Sequence, residues 1–212
     1  AAAEARFVAY EIKEIAKNDV QWRNMAVLYR SNMQARLIEE ELRAAGVPYR
    51  MFGGTQFYDR REIKDAIAYL RVAVHPTDEL SIRRIVNQPP RGLGEQSLDR
   101  IVAFGARRGK KLFETLEIAD DIEGLPELAK KGAREVVHAI GRAREGFRSG
   151  EGLVATADRL LNDVGMTRAL TELDGKDGDR RRENLAFLMR SLERYEKNGG
   201  AEKLSVDQFL TR

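Results

Sequence analysis

The chain alternates stretches of helical period with two short apolar runs. Residues Glu4–Lys17 set Phe7, Val8, Ile12 and Ile15 near one face, which predicts an amphipathic helix. Met25-Ala26-Val27-Leu28-Tyr29 is instead a continuous apolar run, the pattern of a fully buried parallel strand. Ser31 or Asn32 can cap a second helix that runs through Leu37, Ile38 and Leu42 to a stop at Gly46. Pro48–Phe52 reads as a second strand, so residues 1–53 are expected to hold one βαβ unit with a right-handed crossover. Two strands are rarely stable alone, and the unit is therefore expected to be a fragment of a larger α/β domain.

After Gly53-Gly54 the pattern becomes wholly helical. Arg60–Val74 carries Ile63, Ile67, Leu70 and Val74 on one stripe, and Asp78–Asn87 and Glu95–Arg108 follow as shorter helices. Gly124-Leu125-Pro126 suits the start of a long helix over Leu125–Phe147. Leu153–Asp163 precedes a C′ glycine at Gly165. Asp179–Tyr195 and Ser205–Arg212 complete the series. The expected fold class is mainly α: a small βαβ fragment (residues 1–53), then an all-helical subdomain (residues 54–212) with a helix-hairpin-helix-like turn.

That turn is Pro89-Pro90-Arg91-Gly92-Leu93-Gly94-Glu95-Gln96-Ser97. The prolines forbid a continuing helix, and both glycines are free to take positive φ. The new helix opens with N–H groups that have no internal partner. Backbone donors, the Ser97 hydroxyl and the Arg91 cation can then converge on one anion, gripping a phosphate without reading the base beside it. The alternative is a plain glycine turn between two helices.

Charge distribution bears on that choice. The net charge is only +3, yet Phe57–Lys111 holds twelve Lys/Arg against seven Asp/Glu. Leu112–Glu135 reverses the balance, with three against seven. The basic segment is the one that contains the turn, which favours a polyanionic partner over a merely solvated face. The chain has no cysteine, so disulfides, thiolate zinc sites and a cysteine nucleophile are excluded. His75 and His138 lack ligand spacing, and no metal site is expected. No apolar run approaches a membrane span and no signal peptide is visible, so a cytoplasmic protein without a membrane partner is expected.

The remaining motifs each allow two readings. Arg30, Ser31, Asn32 and Gln34 follow the first predicted strand, where open α/β sheets bind ligands, but Ser31 and Asn32 also suit a simple N-cap. Gly53-Gly54 is a hinge or a loop. In Arg60-Arg61-Glu62-Ile63-Lys64-Asp65 the charges suit helix pairs such as Arg61 with Asp65. There is no Gly-Lys-Thr/Ser phosphate loop, no paired acids after a strand and no Ser/His/Asp set, so no catalytic residues are assigned.

Taken together, residues 26–36, 53–65 and 87–94 closely resemble, in order and interval, successive motifs in the second half of UvrD/PcrA/Rep-type superfamily I DNA helicases. The similarity covers residues 4 to about 110, and continues beyond as a helical pattern. It implies that the first block belongs to the second RecA-like domain, 2A, and the helical remainder to subdomain 2B, which is inserted into 2A. By position, Arg30 and Asn32, with Gln34 beside them, match the part that touches single-stranded DNA. Gly53, Gly54, Arg60, Glu62, Lys64 and Asp65 match the 2A–2B junction. Arg91, Gly92, Leu93 and Gly94, with Ser97, match the turn that grips duplex DNA ahead of the fork. Gln56 departs from relatives that carry a basic strand-contacting residue there.

The resemblance thus implies a DNA-binding and regulatory segment of an ATP-dependent 3′–5′ DNA helicase acting in repair or replication. Its partner would be a single strand–duplex junction, with repair or replication proteins as further partners. The residues that bind ATP and Mg in the parent are expected outside this segment, which alone would hold no cofactor and hydrolyse nothing. The alternative is a protein-interaction or autoinhibitory module of the same motor, for which the acidic Leu112–Glu135 stretch would serve.

Overall fold

The computed structural model describes residues 2–52, 56–172, 175–198 and 205–211, with the side chains of Asn32 and Asn198 left out. The chain divides into two compact units, one reaching Arg60 and the other spanning Arg61–Thr211.

In the first unit, α1 (Ala2–Lys17) and α2 (Asn32–Ala44) pack on each other. Their shared core is Ala9, Leu42 and Val47, flanked by Ile12, Ile38, Ala45 and Tyr49. Ser31 is the N-cap of α2: its hydroxyl accepts from the Gln34 amide at 3.4 Å, and the Gln34 side chain accepts from the Arg30 amide at 3.0 Å. That reciprocal arrangement satisfies two backbone donors at the helix start. Gly46, at φ +68°, ends the helix in the left-handed conformation.

The expected βαβ unit is not formed. Among the described residues there is no strand, and both Met25–Tyr29 and Pro48–Phe52 are irregular. A run becomes β-structure only through a neighbouring strand that takes its N–H and C=O groups, and neither run has such a neighbour. Leu28 and Phe52 are instead 95% and 88% exposed. The two runs border an apolar groove of about 770 Å³ with Trp22, Ile38 and Leu42. Phe57–Asp59, a single 3₁₀ turn, closes the unit: the Phe57 amide donates to both Glu39 carboxylate oxygens, at 3.3 and 3.1 Å.

The second unit is built around α3 (Arg61–Val74), which buries Ile63, Ala66, Tyr69, Leu70, Val72 and Ala73. Packed on it are α4 (Glu79–Ile85), α7 (Glu127–Ser149), α8 (Leu153–Asp163), α10 (Gly175–Asn198) and α11 (Val206–Thr211). Helix α5 (Glu95–Arg107) packs against α6 (Leu112–Leu116), and α9 (Met166–Thr171) joins α8 to α10. The long α7 turns Ala129, Gly132, Ala133, Val136, Ala139, Ile140 and Ala143 inward, a stripe of mostly small residues that lets other backbone come close.

Candidate nucleic-acid interface

The turn between α4 and α5 is held by side chains that the periodicity does not reveal. The Asn87 side-chain oxygen Oδ1 accepts from the amides of Arg91, at 2.8 Å, and Leu93, at 3.1 Å, bending Pro89–Leu93 back on itself. Leu93 is 1% exposed and anchors the turn from inside. Gly92 has φ +79°, and a Cβ there would lie 2.7 Å from Leu128 Cγ and 3.0 Å from the Ala129 nitrogen on α7. From the other side, a Cβ on Gly132 would come within 2.3 Å of the Arg91 carbonyl oxygen. Turn and helix therefore touch through two glycines.

Arg91 points inward. It is 8% exposed, and its guanidinium donates to the Tyr69 hydroxyl at 2.9 Å, the Val164 carbonyl at 3.0 Å and the Pro89 carbonyl at 3.0 Å. The Tyr69 hydroxyl in turn lies 2.5 Å from the Gln88 carbonyl and 3.1 Å from that of Ile85. Burial pushes the Tyr69 phenol up to about 12, so it keeps its proton and remains a donor.

Gly94 differs from Gly92. It is the N-cap of α5 at φ −68°, ψ 179°, a conformation open to any residue, and a Cβ there would meet nothing within 4 Å. It supplies no capping side chain, and the first intrahelical acceptance is from Leu98 to the Gly94 carbonyl. The amides of Glu95, Gln96 and Ser97 thus lead the helix without intrahelical acceptors. Glu95 and Gln96 are exposed, whereas Ser97 is buried. At the far end of α5, about 20 Å away along its axis, Arg107, Arg108, Lys110 and Lys111 are all exposed, with Arg108 stacked 3.7 Å over Phe104.

Of the residues that the resemblance places at a domain junction, Glu62, Lys64 and Asp65 lie in the second unit. Glu62 is buried and accepts from Asn184 of α10 at 2.6 Å. Asp65 pairs with Arg84 at 2.8 Å and with Arg61 at 3.9 Å. Burial raises the Asp65 carboxyl above the usual aspartate range, against the pull of Arg84 and Arg61. Lys64 is exposed, and Arg60, in the first unit, lies 5.7 Å from the Phe57 ring. Gly53 and Gly54 lie outside the described residues, as does the Asn32 side chain. Arg30 is exposed, while Gln34 spends its carbonyl on the α2 cap. Gln56 is half-buried at the entry to the Phe57 turn.

The UvrD-like helicase C-terminal domain family matches residues 1–212, so the match runs through the helical remainder as well as the quoted motifs. The chain belongs to this family. Among similar UvrD-like proteins are the ATP-dependent DNA helicases PcrA of Staphylococcus aureus (strain NCTC 8325 / PS 47) and Staphylococcus epidermidis (strain ATCC 12228 / FDA PCI 1200). Each is 33% identical over 210 residues, which is 98% of this chain and 28% of the relative. The chain therefore spans about a quarter of the length of the curated relatives it matches. Among the described residues of this UvrD-like segment no helix is long and apolar enough to cross a membrane. No group of three or more His, Asp or Glu that could hold a metal occurs among them either. The sequence holds no Gly-Lys-Thr/Ser phosphate loop.

Proposed function

We propose that this chain is a DNA-binding and regulatory segment of an ATP-dependent 3′–5′ DNA helicase, and that the Pro89–Ser97 turn seats a phosphate of duplex DNA. The observation that carries the reading is the start of α5: exposed, uncapped, and open above Gly94 on a turn fixed by Asn87, Leu93 and α7. A peptide surface of this kind donates to an anion and favours its charge. In this reading Gly94 and the amides after it touch one phosphate, while exposed Arg107, Arg108, Lys110 and Lys111 pair with further phosphates along the duplex. Arg30 on the first unit is the corresponding candidate for the single strand. ATP and Mg bind elsewhere in the parent, whose motor this segment would orient at the junction between single and double strand.

The test is a salt titration of the 212-residue chain with labelled duplex, single-stranded and forked DNA. Non-specific binding on the order of 10⁻⁴ to 10⁻⁶ M is expected at physiological salt, so low salt is needed. Replacing both Lys110 and Lys111 by Ala should lower the log–log slope by about two. A flat salt dependence, or equal binding of the double variant, would favour the protein-interaction reading instead.

A further inference from the structure

Every cation of the turn region except one faces solvent or an exposed acceptor. The exception is Arg91, the residue whose charge the sequence points toward the phosphate. Three of its N–H groups, on Nε and Nη2, end on Pro89, Tyr69 and Val164, and it is 8% exposed. A guanidinium that spends three of its five N–H groups on acceptors from separate parts of the fold is fixed as part of that fold, with only Nη1 left uncommitted. We infer that Arg91 is a positioning residue: with Tyr69 it forms a buried bracket that holds the turn, and so the start of α5, in the shape that receives the phosphate. This rests on the duplex-binding reading of the turn.

The bracket has a defined wiring. Tyr69 belongs to α3, and its hydroxyl accepts from Arg91 while donating toward the carbonyls of Gln88 and Ile85. The Gln88 side chain also accepts from Arg61, at the first residue of α3, at 3.0 Å. Val164, the third corner, is the C-cap residue of α8. The turn is thus tied at one end to α3 and at the other to α8, with the Arg91 fork spanning the gap. A fork of fixed planar geometry can span three acceptors in this way, whereas an ammonium group is a compact point charge.

This difference separates positioning from contact. A phosphate ligand tolerates Arg91→Lys, because lysine keeps the charge, and loses about one unit of salt slope on Arg91→Ala. A bracket tolerates neither change and leaves the slope as it was, since no counterion was displaced by Arg91. The experiment compares the full 212-residue chain with Arg91→Ala, Arg91→Lys, Tyr69→Phe, Tyr69→Phe/Arg91→Lys and Gly94→Val. Duplex binding is measured by fluorescence anisotropy at several salt concentrations, and thermal unfolding establishes that each variant is folded at the assay temperature.

Arg91→Ala, Arg91→Lys and Tyr69→Phe are each expected to weaken duplex binding about tenfold, as loss of one charge-assisted bond would, with an unchanged salt slope. The double variant should lose no more than the single ones, because the two side chains act as one unit. Arg91→Lys binding like the parent, together with a lowered slope for Arg91→Ala, would overturn the inference in favour of direct contact. Should the Arg91 variants fail to fold, Tyr69→Phe decides alone: parental binding refutes the bracket, and weakened binding at parental slope supports it. Gly94→Val tests the underlying reading separately, since its Cβ enters open space. Undiminished binding there removes the turn as an interface. Weakened binding there, with Tyr69→Phe and Arg91→Lys normal, removes only the bracket.

Discussion

Asp78 sets the start of α4 with two bonds, accepting from the Ser81 amide at 3.1 Å and the Ser81 hydroxyl at 2.7 Å. Partial burial works against its ionisation, but the Ser81 bonds outweigh it and hold the carboxyl below the usual aspartate range. A folded-state value below the unfolded one gives stability that is present above the unfolded value and lost as pH falls through the folded one. Asp78→Ala should therefore cost about 1 kcal/mol at neutral pH and less in acid, as measured by urea denaturation at both. Glu39 has the opposite sign. Burial raises its carboxyl, against the Phe57 amide and the Tyr49 hydroxyl, so its contribution is greatest in acid and is lost as pH rises through the folded value. Trp22, the only tryptophan, lies in the same unit and reports on it. The Trp22-monitored unfolding midpoint should rise on mild acidification, and Glu39→Gln should abolish that rise. A midpoint that follows pH identically in both proteins would exclude Glu39 as the cause.

Helices meet here through small residues, and α7 offers a controlled comparison. Gly132→Ala drives a methyl into the Arg91 carbonyl, whereas Gly141→Ala, about two and a half turns on, meets nothing within 4 Å. Helix propensity favours both changes by about 1 kcal/mol, so only packing distinguishes them. Gly141→Ala should stabilise the unit by about that amount, and Gly132→Ala should destabilise it by about 1–3 kcal/mol, read from chemical denaturation. The periodicity from which the helices were legible carries no such information. It placed α8 at its observed bounds, Leu153–Asp163, because Leu153, Leu160 and Leu161 all face the core. It missed α6 and α9, whose five and six residues are too short to display a period. It misread Met25–Tyr29 and Pro48–Phe52, since an apolar run has the composition of a buried strand whether or not a neighbour exists to pair with it. The turn itself was legible from its prolines and glycines. The inward aim of Arg91 was not, because its acceptors on Tyr69 and Val164 are brought to it only by the folded chain.

The two units differ in how completely they bury their own apolar surface. The second encloses Ile63, Leu70, Ile101, Ile140 and Leu160 at 1% exposure or less, while the first leaves Phe7, Tyr10, Leu28 and Phe52 more than half exposed. A polypeptide of residues 61–212 should accordingly unfold cooperatively with native-like helix content by circular dichroism, and one of residues 1–60 should not. A non-cooperative melt of the larger piece would show that its core depends on the first unit. The ledge at the start of α5 has one more consequence. Beside the exposed side chains of Glu95 and Gln96 it presents peptide, and peptide groups are the same in every protein. Sequence drift can exchange the side chains but cannot rewrite the amides. Descendants of this chain can re-aim those amides only by altering what lies beneath them, at Asn87, Tyr69 or Arg91.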